Sequence, residues 1–155
     1  MKTIERKPSV EGRNCCATAM RKASRRLTQL YDEVLEQCGL RSTQFAILIE
    51  LGSAKDPPTM AELAHAMVMD RSALGHNLRP LERDGLITLQ ESAEDRRRRH
   101  VEVTPVGKAK LREAKKLWQR AQDRFVDVFG ESEAASLCAT LLSIAYDERL
   151  ATLKD

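Results

Sequence analysis

Residues 59–104 read TMAELAHAMVMDRSALGHNLRPLERDGLITLQESAEDRRRRHVEVT, and the reading of this stretch decides the fold. Thr59 and Glu62 have the spacing of a capping box, and Leu63 and Ala64 supply the apolar side of the short helix that it opens. Asp70 opens a second helix. On that helix Leu74, Leu78 and Leu81 share one face, while Ser72, Ala73, His76, Asn77 and Arg79 are turned elsewhere. Gly85 stops it, as glycine does just past a helix end. Leu86 to Gln90 and His100 to Thr104 alternate like strands. Between them Glu94 to Arg99 form a charged tip that no core could accept.

A helix, a turn, a second helix and a charged hairpin in this order make a winged helix-turn-helix. Working outward, residues 1–13 carry charges, Pro8 and Gly12 without a sustained period, and are expected to be a loose arm. Asn14 is expected to cap a long helix over 14–38 whose apolar positions, from Cys16 through Leu27 and Tyr31 to Cys38, follow the 3.6-residue period before Gly39. Ser42 is expected to cap a helix that is apolar almost all round, Phe45, Ala46, Ile47, Leu48 and Ile49. Gly52 to Pro58 is a loop. Beyond the hairpin, Thr104-Pro105 starts a helix running to Phe129, Gly130 breaks it, and Ser132 with Glu133 opens a last amphipathic helix carrying Leu137, Leu141, Ile144 and Leu150. The expected architecture is mainly α with a small β-hairpin wing. One domain spans 1–155, with a DNA-binding lobe at 42–104 and scaffold helices at 14–38 and 105–152. The terminal helices carry more apolar surface than the lobe can cover, which predicts that they bury each other in a homodimer.

Composition bounds the function. The 155 residues are 42% apolar and 32% charged, which fits one soluble, helix-rich domain. A net charge of +3 permits nucleic acid as a partner. No apolar run approaches the roughly 20 residues that span a bilayer, and the start lacks a signal-peptide core, so no membrane partner and a cytoplasmic location are expected. In such a reducing compartment Cys15, Cys16, Cys38 and Cys138 are not expected to form structural disulfides, and their spacing matches no zinc site. His65, His76 and His100 form no catalytic or metal-binding spacing with them. Neither an enzyme nor a metal or cofactor is expected.

A helix fits the B-DNA major groove with its N-terminal part nearest the base edges. That places Ser72, Ala73, His76 and Asn77 at the bases with Arg79 beside them, whereas Asp70 is a cap, since phosphate would repel its carboxylate. His76 could equally be an ordinary exposed histidine. Pro80 removes the bond to the His76 carbonyl and predicts a kink or loosened turn. Arg96, Arg97 and Arg98 sit where a wing tip would enter the minor groove or clamp its phosphates.

The chain resembles the MarR family of bacterial transcription regulators from about Asn14 to Leu150. The matching pieces are MRKASRRLTQLYDEVL, LRSTQFAILIEL, AELAHAMVMDRSALGHNLRPLERDGLI and EDRRRRHVEVTPVGK. The family's wing tip is roughly D-x-R-D-x-R; here Asp95 and Arg97 match its second half, while Ser92 and Glu94 replace the first Asp and Arg. The resemblance implies that Asp95 braces the wing and Arg97 inserts into the groove. It also implies a repressor that leaves a pseudo-palindromic operator when a small aromatic or phenolic ligand, another metabolite or an oxidant respaces two reading heads. The usual ligand place, between the first, second and fifth helices, would be lined by Arg25, Tyr31, Phe45 and Trp118, although each of the three aromatic residues is more often plain core.

The alternative trigger is redox. Cys15 and Cys16 begin the first helix, where the dipole and the nearby Arg13 and Arg21 lower a thiol pKa. The OhrR-like, peroxide-sensing branch has its reactive cysteine near here, but that position falls at Ala17, one residue from Cys16. A bond between Cys15 and Cys16 would be strained, so a partner subunit's cysteine or Cys138 would have to resolve the oxidised thiol; Cys38 and Cys138 read as core. A winged helix used only for protein contacts is the remaining alternative.

Overall fold

The computed structural model describes residues 15–95 and 98–151. The arm at 1–13, the Asn14 cap, Arg96 and Arg97 lie outside the described residues. The elements are α1 (Cys16–Leu35) with a short 3-10 turn (Glu36–Cys38), α2 (Ser42–Ser53), α3 (Met60–Ala66), α4 (Arg71–Arg83), β1 (Ile87–Glu91), β2 (Arg99–Val103), α5 (Pro105–Phe129) and α6 (Glu131–Ala145), followed by a 3-10 turn at Glu148–Leu150. This is the mainly helical, winged architecture read from the sequence.

Local chemistry sets most boundaries as expected. The Glu62 amide donates to Thr59 Oγ1 at 3.2 Å and the Thr59 amide to Glu62 Oε2 at 2.7 Å, completing the capping box of α3. The Thr59 amide, with the Thr59 hydroxyl donating to the same oxygen at 2.9 Å, holds the Glu62 carboxyl below its ordinary range. Asp70 caps α4 by accepting the Ala73 amide at 2.7 Å. Several boundaries differ from expectation, among them the end of the last helix, which stops at Ala145 and leaves Leu150 in a separate 3-10 turn. Ser42 is the first residue of α2 rather than its cap. Its amide donates to Asp32 Oδ1 at 2.7 Å, so α1 supplies the cap from ten positions upstream, a long-range partner that local spacing does not reveal. The last helix begins at Glu131 rather than after Ser132. α4 runs through Pro80 to Arg83 as one helix.

Leu74, Leu78 and Leu81 of α4 pack with Phe45, Ile47, Leu48 and Leu51 of α2, Leu63 of α3, and Ile87, Val101 and Val103 of the hairpin. The strands pair antiparallel, Ile87 opposite Val103 and Leu89 opposite Val101, which keeps the apolar side of the wing on this core. A bridge from Thr59 to His100, and the Val101 amide donating to the Pro58 carbonyl at 2.9 Å, pin the hairpin to the start of α3.

The exit of α4 meets the start of α5 at one crowded point. Gly85 takes φ 70°, so that the Gly85 and Leu86 amides return to the Glu82 and Leu81 carbonyls at 3.0 and 2.8 Å. Thr104 then donates its amide to the Leu86 carbonyl at 3.0 Å and its hydroxyl to the Gly85 carbonyl at 2.6 Å, while accepting the Gly107 amide at 3.0 Å. Gly107 lies so close that a Cβ there would land on the Leu86 carbonyl oxygen.

The terminal helices are less covered. Of the apolar stripe expected on the first helix, Leu35 is the buried member within α1, with Cys38 buried in the turn after it; Ala19 and Ala23 are exposed. The chain bends by 109° between α5 and α6. Along α6, Ala134 is buried while Leu137, Leu141, Leu142 and Ile144 are exposed. No single helix among the described residues is long and apolar enough to cross a membrane.

Gly107→Ala should lower stability by about 2 kcal/mol despite alanine's better helix propensity, because the backbone it meets must shift. A chemical-denaturation midpoint equal to the parent's would show that the junction is looser than its geometry.

Candidate nucleic-acid interface

With Leu74, Leu78 and Leu81 committed to the core, the opposite side of α4 is left to solvent. Ser72, His76, Arg79 and Arg83 recur there at helical spacing and are all exposed. Arg83 is engaged with the Asp84 carboxylate, Nε to Oδ1 at 2.9 Å. Ala73 is half-buried behind Ser72. Asn77 is also half-buried and donates one Nδ2 hydrogen to the Ala73 carbonyl at 2.9 Å, which leaves its amide oxygen and its second Nδ2 hydrogen for a base. His76, Asn77 and Pro80 face Thr28, Asp32, Arg41 and Gln44 across a groove of about 410 Å³. Two exposed cations on this side were not singled out from the sequence: Arg71 in the first turn of α4, and Arg41, whose guanidinium stands 3.6 Å from Asp32. Arg71 sits beside the Asp70 cap in sequence, a signal that could have found it. Arg41 required knowledge of where α2 begins.

The hairpin projects from the same lobe. Its tip closes through the Ser92 amide, which donates to the Arg98 carbonyl at 2.8 Å, and the Arg98 amide, which donates to the Asp95 carbonyl at 2.9 Å. Asp95 and Arg98 are exposed. At the base of the wing the Pro57 carbonyl accepts from His100 Nδ1 at 2.9 Å.

A second feature lies behind the reading helix. Trp118 of α5 stacks near Phe45 of α2, ring centroids 6.2 Å apart, and near Tyr31 of α1 at 6.3 Å. These three rings line a cavity of about 780 Å³ with Ile49, Met67, Val68, Tyr146 and, at its polar edge, Glu50 and Lys115. The Tyr31 hydroxyl donates to Gln122 Oε1 at 2.7 Å, and burial pushes its pKa up. Arg25 does not line the cavity. It is exposed on α1, and its six-residue offset from Tyr31 turns it about 120° away around the helix. Lys115 is the cation at the cavity instead.

The cysteines separate by environment. Cys38 is buried, its thiol donates to the Leu35 carbonyl at 3.1 Å, and burial pushes its pKa up. Cys138 was expected in the core, but α6 leaves it exposed. Cys15 and Cys16 are exposed and unpaired with each other. Thr18 Oγ1 donates to Cys15 Sγ at 3.3 Å, and this bond, with a smaller effect of Arg21, holds the Cys15 thiol below its ordinary range. Thr18→Ala should therefore raise the Cys15 pKa, so that its alkylation by iodoacetamide slows at neutral pH and the rate profile moves to higher pH. Peptide mass spectrometry reads this site by site, and an unmoved profile would count against Thr18 as the cause.

A model of the MarR family matches residues 39–98. Among solved structures, the chain is similar to the M. tuberculosis transcriptional regulator MosR in complex with DNA, with 33% identity over 88% of this chain and 100% of that one and a TM-score of 0.76. A second structure of M. tuberculosis MosR matches at 30% identity, 84% and 93% coverage and a TM-score of 0.71. The transcriptional repressor CouR bound to a 23-mer DNA duplex matches at 26% identity, 90% and 98% coverage and a TM-score of 0.80. No curated protein matches the chain significantly.

Proposed function

Because the chain belongs to the MarR family of DNA-binding transcriptional regulators, we propose that it works as a homodimeric repressor that grips a pseudo-palindromic operator and leaves it when a small aromatic or phenolic ligand binds. The observation that carries this reading is the exposed stripe Ser72, His76 and Arg79, held outward because the other side of α4 is locked into the core. In the major groove Ser72 and the Asn77 amide oxygen would meet base edges, Ala73 a thymine methyl and His76 a base or phosphate. Arg79 would neutralise phosphate. At the wing, Asp95 would brace the tip and Arg96, Arg97 and Arg98 would clamp the adjacent minor groove.

Residues 42–104 act in this reading as the DNA-binding lobe of a single domain, and 14–38 with 105–152 as its dimerisation scaffold. Support comes from apolar side chains that the chain does not fully cover, where half-buried Met20 and Leu27 of α1 and exposed Leu137 and Leu141 of α6 line a groove of about 570 Å³. A second copy would bury them and place two reading heads one helical turn apart. The three-ring cavity, with Glu50 and Lys115 at its edge, suits a flat aromatic molecule, on which Lys115 would take an acidic group.

A gel shift on the protein's own promoter region is the direct test. Arg97→Ala and Arg79→Ala should each weaken binding and lower the salt slope by about one phosphate contact. Binding without salt dependence, or none at all, would leave the winged unit as a protein-contact module. In the same reading Leu141→Asp should shift the sedimentation coefficient toward a monomer, and an unchanged value would remove α6 from the dimer contact.

The Thr18 bond favours one second reading, in which Cys15 is the trigger. Its thiolate would attack a peroxide oxygen, becoming a sulfenic acid as the peroxide is reduced, and a partner subunit's cysteine or Cys138 would then condense with it, releasing water. DNA binding that survives peroxide would dismiss it.

A further inference from the structure

The turn between α3 and α4 is held by something outside it. A helix of seven residues has four carbonyls at its end without helical partners. Three are satisfied locally: Leu63 accepts the Met67 amide at 2.9 Å, Ala64 the Met69 amide at 2.9 Å and His65 the Val68 amide at 3.1 Å. The fourth, Ala66, accepts the Tyr146 hydroxyl at 2.7 Å, from eighty positions away at the end of α6. The turn also runs against local preference. Val68 sits at the left-handed position of this helix ending, with φ 51°, a place where glycine is favoured and a β-branched side chain is strained. A strained turn persists only where its surroundings over-determine it, and Tyr146 is the distant group bonded to it.

Tyr146 also stands between two cavities. With Val68 and Ala145 it lines the aromatic cavity of about 780 Å³ on one side and a cavity of about 540 Å³ beneath α3 on the other. We propose that Tyr146 is a positioning residue of the reading head: its hydroxyl fixes the turn that aims α4, and an aromatic occupant of the larger cavity displaces it and frees that turn. This rests on the ligand reading above, and it adds the route by which an occupant behind the core reaches the DNA-facing helix. The side chain is half exposed, so it can swing aside without opening the core.

The test uses the full-length protein and Tyr146→Phe, which removes only the hydroxyl. Hydrogen exchange at the Val68 and Met69 amides should be roughly three- to ten-fold faster in Tyr146→Phe, the range expected for one neutral hydrogen bond, with the exchange of β1 and β2 unchanged. Saturating 2-naphthoate should accelerate these two amides in the parent and have little further effect in the variant. On operator DNA the variant should bind several-fold more weakly, and naphthoate should weaken the parent more than the variant. Equal exchange at Val68 and Met69 in the unliganded parent and variant would overturn the proposal, as would equal acceleration by naphthoate in both. If naphthoate does not bind the parent, the ligand reading of the cavity fails, and the unliganded exchange comparison still decides the role of Tyr146.

Discussion

The short bridge at Leu86, Thr104 and Gly107 is the constraint on which the lobe depends. One threonine closes three bonds there, to the Leu86 carbonyl, the Gly85 carbonyl and the Gly107 amide, and so ties the end of α4, both ends of the hairpin and the first turn of α5 together. Thr104 is at once the last residue of the wing and the N-cap of the long helix. A reading helix and a wing that must meet one duplex together need a fixed mutual angle. Here that angle is held by the amide and hydroxyl of one threonine and by the close approach of Gly107 to the Leu86 carbonyl.

The lobe and the scaffold are built on different terms. Within the lobe the apolar residues of α2, α3, α4 and the hairpin close one core, to which Leu35 of α1 and Leu111 and Ala114 of α5 also contribute. On α6 the only buried residue is Ala134 near its start, and the face bearing Leu137, Leu141 and Leu142 stays open. An apolar face that its own chain does not cover is unfavourable in water, at about 25 cal/mol for each Å² that a partner could remove. On α1 the deficit is smaller, with Met20 and Leu27 half-buried and Ala19 and Ala23 exposed. The scaffold thus has an unmet demand for burial, while the lobe has met its own.

The lobe was legible because its signals are local. A capping box, an Asp cap, leucines at helical spacing and a glycine at a helix end each act within one or two turns, and Thr59, Asp70 and Gly85 all do what their spacing foretells. The misplaced features depend on partners distant in sequence. Asp32 caps α2 from another helix, which no inspection of Ser42 reveals. Arg25 was assigned to the cavity by region, but helical phase turns it outward and leaves Lys115 at the edge. Cys138 looked like core because α6 is amphipathic, yet an amphipathic helix buries its stripe only where something covers it. Asn77 has the chemistry of a base reader, and one of its two amide hydrogens is spent on its own helix at Ala73.

The ends of α6 join these two regimes. Its start is anchored by Ala134, its far end by the Tyr146 hydroxyl on Ala66, and the exposed leucines lie between. A helix of fifteen residues is about 22 Å long and stiff along its axis. A force on its open face, whether from a second copy or from an occupant of the aromatic cavity beside Ala145, is therefore carried to the turn before α4 rather than absorbed along the way. The strain at Val68 makes that turn the compliant point, since its left-handed backbone is maintained only by the bonds around it. If two copies pair through this face and the cavity takes a ligand, as proposed, both would act on α4 through the same short turn, and a change in either one would alter the angle at which α4 meets DNA.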